Sequence, residues 1–316
     1  MNIKRMAAGV SALAALGIAV AGPAVSAGAA ADGTGTDAAY FAVSLNGGNE
    51  VPTPGGPAAG DKDGTAVAYL QVSGDEIRFA AAFKGIAAPA TGTIQAGAKG
   101  ENGAVEVTLF TAPAYGNNGT ATGTVRVKDA QFLADLKANP RAFHLDIATP
   151  EFPGGAVRGQ VNGIRSTLDM DHALQRDTKA SVTQGVQIYA CTVQPDGSFA
   201  FTQDNVRATL DNGISHFFAN PGPAGPPEWL ARDRSAVTGK VLARTPNGTG
   251  NIAELDLAAT QAGRPFGLLA GTDEILRLNT VGGVAPSGPC DPAAQARVEV
   301  PYRADYVFLD STQPIV

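Results

Sequence analysis

Short runs of apolar residues, many of them alternating with polar residues, follow one another along the first half of the chain. The intervening segments are rich in Gly, Pro, Asn and Asp, which form turns and break helices. Short strands at this spacing predict an antiparallel sandwich or barrel. The runs with strand character are YFAVSL (40–45), AVAYLQV (66–72), EIRFAAAF (76–83), AVEVTLF (104–110), GTVRVK (123–128), AFHLDIAT (142–149) and AVRGQV (156–161).

One segment of this half has helical rather than strand periodicity. In KDAQFLADLKANP, the apolar residues Phe132, Leu133 and Leu136 fall within one helical stripe. Asp129 precedes the stripe as a capping residue, and Asn139-Pro140 ends it. The pattern predicts one short helix within an otherwise β domain.

The second half repeats the β-like pattern after a polar interval. We therefore predict an all-β protein of two antiparallel sandwich-like or barrel-like domains. The first covers residues 40–162, a linker or surface helix covers 163–184, the second domain covers 185–310, and 311–316 form a tail. The second set of predicted strands is VQIYACTV (186–193), SFAFT (198–202), ISHFFA (214–219), AVTGKVLAR (236–244), IAELDLAA (252–259), EILRLNT (274–280) and ADYVFL (304–309).

A proline-rich run, NPGPAGPPEW (220–229), interrupts the second set. Proline cannot donate to a strand ladder and is excluded from central strands. We expect a rigid surface loop that carries Trp229, the only tryptophan of the chain.

The first 27 residues have the pattern of a Sec-type secretory signal. Lys4 and Arg5 are followed by a charge-free, alanine-rich stretch, and Val25-Ser26-Ala27 offers small residues for cleavage. The alternative, a membrane anchor, requires about 20 strongly apolar residues, whereas this stretch is rich in Ala and is broken by Gly22-Pro23. We expect cleavage near Ala27, a flexible leader over 28–39, and a secreted, extracellular mature protein without a membrane span.

The net charge limits the classes of partner that the chain can bind, and the two cysteines are informative about the compartment. The net charge is −6, with scattered charges, which argues against nucleic acid as a partner. The two cysteines, Cys191 and Cys290, are expected to form a disulfide, as an isolated pair in an exported chain typically does. The competing interpretation is a catalytic or metal-binding thiol.

Three blocks of the first half carry a resemblance to a known family: LNGGNEVP (45–52), GTIQAGAKGENGAVEVTLF (92–110) and FHLDIATPEFPGGAVRGQV (143–161). In order and spacing they resemble the CHRD domain, the chordin-type module common in secreted bacterial proteins. The resemblance implies an all-β fold and no settled activity outside animals.

This chain departs from the CHRD pattern at the family's usual histidines. Thr93 and Gln95 stand where the family has His-x-His, and Ala148 replaces a third histidine. Thr, Gln and Ala cannot replace three imidazoles around a transition metal, so we predict no metal and no cofactor. Glu50 and Arg158 match family positions, and we expect them to form an internal ion pair, with substrate contact as the alternative.

The second half resembles a family of secreted bacterial and fungal domains of unknown function. The matching residues are GVQIYAC (185–191), SAVTGKV (235–241), RLNTVGGVAPSGPC (277–290), VPYRADYVF (300–308) and the region of His216 and Trp229. Both cysteines fall within matching blocks, which supports their pairing. The resemblance implies a fold type and a location but no reaction.

The sequence offers few motifs for catalysis or nucleotide binding. It contains no G-x-S-x-G motif, no H-E-x-x-H motif and no P-loop. Ser215 and His216 are adjacent in a predicted strand and so point to opposite faces. His216, Trp229 and Arg277 are the candidate binding residues, because a His, an aromatic residue and an Arg can form a recognition pocket for a polar ligand. The alternative is a packed Trp beside a satisfied His.

Three functional hypotheses follow. The leading one is a non-catalytic secreted protein for extracellular binding, adhesion or envelope structure, whose partner is an extracellular ligand or a cell-envelope component. The second is a secreted hydrolase or isomerase that uses His216. The third, a metal-binding CHRD module, is disfavoured by Thr93, Gln95 and Ala148. Fold alone does not choose among these, since β-sandwiches support both binding and catalysis.

Overall fold

The computed structural model describes residues 38–111, 119–222 and 225–311. The predicted signal segment 1–27 lies outside the described residues, as do most of the leader 28–39 and most of the tail 311–316. Of the helices in the three described ranges, none combines the length and apolar content that a membrane crossing requires.

In the described part of the first half, nine antiparallel strands form one sheet. The strands are β1 (Ala39–Asn46), β2 (Thr65–Ser73), β3 (Glu76–Lys84), β4 (Thr91–Ala96), β5 (Val105–Thr111), β6 (Thr120–Arg126), β7 (Phe143–Ala148), β8 (Val157–Gln160) and β9 (Asn162–Ile164). Their order in the sheet is β5-β4-β7-β8-β1-β2-β3-β6, and β9 pairs with β1 beside β8. Seven of the strands match the predicted runs, whereas β4 and β9 were not predicted from the pattern.

The predicted helix is confirmed as α1 (Ala130–Ala138). The Asp129 carboxylate accepts hydrogen bonds from the backbone N–H groups of residues 131 and 132, at 2.9 and 3.0 Å, which satisfies donors that a helix start leaves unpaired. Phe132, Leu133 and Leu136 are buried in the core of the sheet.

The first sheet curls around a single apolar core. Phe79 of β3 stacks on Phe110 of β5 with ring centroids 5.9 Å apart, although these strands lie near opposite ends of the strand order. The sheet is therefore barrel-like rather than flat.

The second half forms a closed antiparallel barrel, because its first strand pairs with both the second and the last. The predicted all-β class with two barrel-like sheets is thus confirmed. The strands are β10 (Thr178–Val193), β11 (Phe199–Leu210), β12 (Ser215–Phe218), β13 (Pro227–Leu230), β14 (Ala236–Thr245), β15 (Glu254–Gln261), β16 (Glu274–Gly282) and β17 (Arg297–Leu309).

Near the start of β16 and the end of β17, apolar residues occupy the outer face of the barrel as well as the inner face. Tyr306 and Phe308 belong to the barrel core, whereas the alternate residues Val307 and Leu309 point outwards. The outward residues pack against the first sheet, so the two halves share a hydrophobic layer. Its buried members are Ala42, Tyr69, Ala80, Leu168, Met170, Ala173, Leu276, Leu278, Val307 and Leu309.

Residues 163–184, where we predicted a linker or surface helix, contain regular structure along much of their length. They include the end of β9, the one-turn helix α2 (Ala173–Arg176) and the start of β10 at Thr178. Leu168 and Met170 are buried in the shared layer. The apolar residues of this polar segment therefore attach it to both halves.

The predicted disulfide is confirmed between Cys191 and Cys290. Their Cα atoms are 5.9 Å apart, within the usual range for disulfides. The bridge ties the end of β10 to the segment that follows β16.

Candidate functional site

A cavity of about 310 Å³ lies inside the barrel. His216, Trp229 and Arg277, the three residues predicted from the sequence, all line it. Its size is at the lower end of the range typical of small-molecule sites. The full lining is Gln187, Gln203, Val206, His216, Phe218, Gly225, Pro227, Trp229, Val241, Arg244, Leu255, Leu257, Arg277 and Tyr306.

His216 enters the cavity wall from β12. It is 3% exposed, whereas its neighbour Ser215 is exposed, as the strand alternation predicted. Its Nδ1 lies 2.9 Å from the Glu228 carbonyl oxygen. Because a carbonyl oxygen only accepts hydrogen bonds, Nδ1 carries the proton and Nε2 is left as an acceptor.

The His216 ring is neutral under physiological conditions. Burial lowers the pKa of His216 to about 3, and the nearby charge of Arg277 adds to this effect. The hydrogen bond to Glu228 opposes the shift without reversing it. His216 therefore presents a planar, uncharged ring rather than a cation.

Trp229 lies on strand β13, not on a surface loop, so our prediction of its environment was wrong. The strand begins at Pro227, paired with Phe218, and proline is tolerated as the first residue of a strand. Trp229 is 1% exposed and belongs to the barrel core. Its Nε1 has no hydrogen-bond partner among the described residues.

Three aromatic rings form one wall of the cavity. His216 and Trp229 are partners across β12 and β13, and Tyr306 of β17 contacts both rings edge-on at centroid distances of 5.3 and 5.4 Å. Tyr306 was not predicted from the sequence. In the sequence, Tyr306 is set apart from Ala304 and Phe308 on either side of it by its polar hydroxyl group. That it faces the barrel interior can be inferred only once the inward-facing residues of the strand are known.

Arg277 of β16 supplies positive charge to the cavity. It lies opposite Tyr306 in the register and donates from Nε and Nη2 to the Ala253 carbonyl oxygen, at 3.2 and 2.7 Å. Arg244, at the end of β14, is exposed and also lines the cavity. Among the ion pairs of the described residues, none involves either arginine.

Two glutamines from the first barrel strands complete the polar lining. Gln203 Nε2 donates to Gln187 Oε1 at 2.9 Å and to the Asn205 carbonyl oxygen at 2.7 Å. Gln187 is 3% exposed, and its Nε2 has no hydrogen-bond partner among the described residues. Together with the arginines and Trp229, these groups give the cavity an excess of N–H donors.

In the first half, Glu50 and Arg158 do not form the predicted ion pair. Arg158 is held by the loop after β4, donating to Asn102 Oδ1 at 2.8 Å and to the carbonyl oxygens of Ala98 and Glu101. No described ion pair joins it to Glu50. The turn-forming residues KGENG (99–103) predict a turn here, but the sequence does not reveal that its acceptors bind the Arg158 guanidinium.

Glu50 instead lies beside Asp146. A Cβ atom placed on Gly155 would be 2.5 Å from Asp146 Oδ2 and 2.7 Å from both Glu50 carboxyl oxygens, so the two carboxyl groups meet at this glycine. Burial raises the pKa of Glu50, and the Asp146 charge raises it further, against the opposing charge of Arg158. Burial also raises the pKa of Asp146. The pair therefore retains a proton that exposed carboxylates lose.

Thr93, Gln95 and Ala148, the positions where CHRD domains usually have histidines, lie on β4 and β7. Gln95 is paired with His144, and Thr93 with Asp146. His144 is fully buried, and burial lowers its pKa to about 4. Within the described ranges, no group of three or more His, Cys, Asp or Glu residues is arranged to hold a metal ion.

Two family models match the chain. Residues 41–161 match the CHRD domain, and residues 208–310 match a family described as protein of unknown function, DUF3455. The second match omits β10 and most of β11, which carry Gln187 and Gln203. No curated protein and no solved structure matches the chain. The protein therefore combines a CHRD domain over residues 41–161 with a DUF3455 domain over residues 208–310.

Proposed function

We propose that this chain is an exported, non-catalytic binding protein whose ligand occupies the barrel cavity. The observation that carries the proposal is the convergence of His216, Trp229 and Arg277 on one cavity. An apolar cavity with a few directed polar groups is the usual form of a small-molecule site. Small barrels commonly hold one such ligand.

The state of His216 supports binding over catalysis. A general base works best when its pKa lies near the operating pH, whereas burial lowers the pKa of His216 to about 3. None of the described lining residues is a carboxylate, Ser, Thr or Cys, the side chains that usually serve as its partner or nucleophile. The neutral ring is suited to stacking and to accepting one hydrogen bond.

Export is supported by the predicted signal over 1–27 and by the Cys191–Cys290 bridge, because disulfides persist in oxidising compartments. Mass spectrometry of the culture supernatant is expected to find an N-terminus within a few residues of Gly28. An uncut chain retained in the membrane fraction would contradict export.

Binding is tested with a panel of fragment-sized carboxylic acids and their matched primary amides, by saturation-transfer NMR on the mature protein. The variant Val241→Phe fills the cavity from its wall, and Val281→Phe is the control, since Val281 is 59% exposed. We expect at least one saturable ligand that is lost in Val241→Phe and retained in Val281→Phe. If no compound binds saturably, or if Val241→Phe binds as well as the wild type, the proposed function is wrong.

A further inference from the structure

We propose that the ligand of the barrel cavity is a small organic acid, a carboxylate attached to an apolar or aromatic body. This inference rests on the proposed function and specifies the chemical class of its ligand.

The charges of the cavity are all positive. Arg244 and Arg277 line it, and none of the described lining residues is acidic. The carboxylates of the adjacent strand β15 face away from the interior: Glu254 accepts hydrogen bonds from Lys99 and Arg141, and Asp256 accepts one from Arg165. No carboxylate of the described lining therefore neutralises the two guanidinium groups, and their positive charge is available to a ligand.

Two fully buried polar atoms of the lining lack a hydrogen-bond partner among the described residues, and both are donors. They are Trp229 Nε1 and Gln187 Nε2. The acceptor of Gln187 is already occupied, because its Oε1 receives the Gln203 amide. Unmet buried donors cost about 1–3 kcal/mol each, so a ligand rich in acceptors is favoured.

The field of Arg277 extends over the aromatic wall. Burial raises the pKa of Tyr306, and the charge of Arg277 opposes that rise. At His216 the same charge acts together with burial to keep the ring neutral. The interior is thus positive at its aromatic wall, where negative charge is stabilised.

The apolar and aromatic residues of the lining determine which body the carboxylate of the ligand is attached to. Val206, Leu255 and Leu257 are buried apolar residues of the cavity, and the His216–Trp229 stack provides flat aromatic surface. A fully hydrophilic anion would leave these surfaces without contacts. An organic acid with a flat or branched apolar body satisfies both the donors and the walls.

The test uses the matched acids and amides of the same panel: benzoate with benzamide, phenylacetate with phenylacetamide, and hexanoate with hexanamide. Trp229, the only tryptophan of the chain, reports binding by its fluorescence. We expect each acid that binds to do so about ten- to hundredfold more tightly than its amide, as hydrogen bonds to charged groups allow. We also expect its affinity to fall with added salt.

Three variants assign that preference to the cavity. Arg277→Met and Arg244→Met are each expected to reduce acid affinity about tenfold or more while leaving amide affinity within about twofold. Arg303→Met, on the exposed outer side of β17, is the control and should change neither. Arg244 is exposed, so its variant remains informative if Arg277→Met does not fold.

The outcomes separate the two proposals. If an amide binds in the cavity as tightly as its acid, the organic-acid inference is wrong and the binding function stands. If the acid preference survives both Arg244→Met and Arg277→Met, the inference is also overturned. If no panel member binds at all, both proposals fail together.

Discussion

The imidazole ring of His216 stacks on the indole ring of Trp229, with ring centroids 4.3 Å apart and planes 3° apart. The two residues are direct partners across β12 and β13, so the register of this strand pair produces the stack. Because Trp229 also contacts Tyr306 and Phe308, the stack belongs to the core as well as to the cavity.

Replacement of Trp229 by Ala is expected to destabilise the whole barrel. Removing a buried tryptophan costs about 3–5 kcal/mol in the free energy of unfolding. The measurement is chemical denaturation followed by circular dichroism. Phe266→Ala is the control, because Phe266 is 65% exposed and should lose less than about 1 kcal/mol. Equal losses for the two variants would contradict the core position of Trp229.

Because the pKa of His216 is lowered in the folded protein, we expect the folding stability to decrease at acidic pH. Its folded pKa of about 3 lies below the ordinary value of 6.5, so the unfolded chain binds a proton that the folded protein does not. The stability that the neutral ring contributes is present above pH 6.5 and is lost as the pH falls from 6.5 towards 3.

This behaviour of His216 is measured by NMR of the imidazole nitrogens. We expect the Nδ1–H tautomer to persist down to about pH 4 at His216. The exposed His172 provides the comparison in the same spectrum. A His216 titration midpoint above pH 6 would refute the buried, neutral ring.

Glu50→Gln is expected to stabilise the protein at alkaline pH. The pKa of Glu50 is raised in the folded state by burial and by Asp146, so the folded protein binds a proton that the unfolded chain releases. Folding stability from this group therefore falls as the pH rises through the interval above 4.5. The amide needs no proton, and the gain at pH 8 is on the order of a few kcal/mol, since one pKa unit corresponds to about 1.4 kcal/mol.

The stability of Glu50→Gln is measured by denaturation at pH 5 and pH 8. Its advantage over the wild type should shrink at pH 5, where Glu50 keeps its proton. Glu151→Gln is the matched control, because Glu151 is exposed, and it should show no such pH dependence. A Glu50→Gln variant that is less stable at pH 8 would restore the ion-pair interpretation with Arg158.

Loss of the disulfide is expected to lower the free energy of unfolding by about 4–5 kcal/mol. The bridge spans 99 residues, and the chain-entropy model gives this value for a loop of that length. Cys191→Ser/Cys290→Ser is compared with the oxidised and the reduced wild type. The double variant and the reduced protein should coincide, and unchanged stability in both would show that the bridge contributes nothing.

The strands and the helix α1 were largely predictable because they are encoded locally. Alternation identifies one buried face of a strand, and Asp129 with Asn139-Pro140 marks the ends of the helix. Strand β13 was missed because Pro226 and Pro227 suggested a loop. Proline has no backbone N–H to donate, but it is tolerated as the first residue of a strand.

The cavity was predictable only in part. His216, Trp229 and Arg277 could be named as candidates, but Gln187 and Tyr306 are brought beside them by barrel closure, which depends on pairing between β10 and β17. The carboxyl pair of Glu50 and Asp146 was missed for the same reason. Contacts between residues far apart in sequence depend on the register of the whole sheet, which local patterns do not encode.

The apolar layer between the barrel and the first sheet links the two halves energetically. Leu276 and Leu278 on one side and Tyr69 on the other are buried together, and separating the halves would expose them to water. Local opening of either half is therefore opposed by the other. We therefore expect a molecule bound inside the barrel to slow amide hydrogen exchange in the first sheet as well, without touching it.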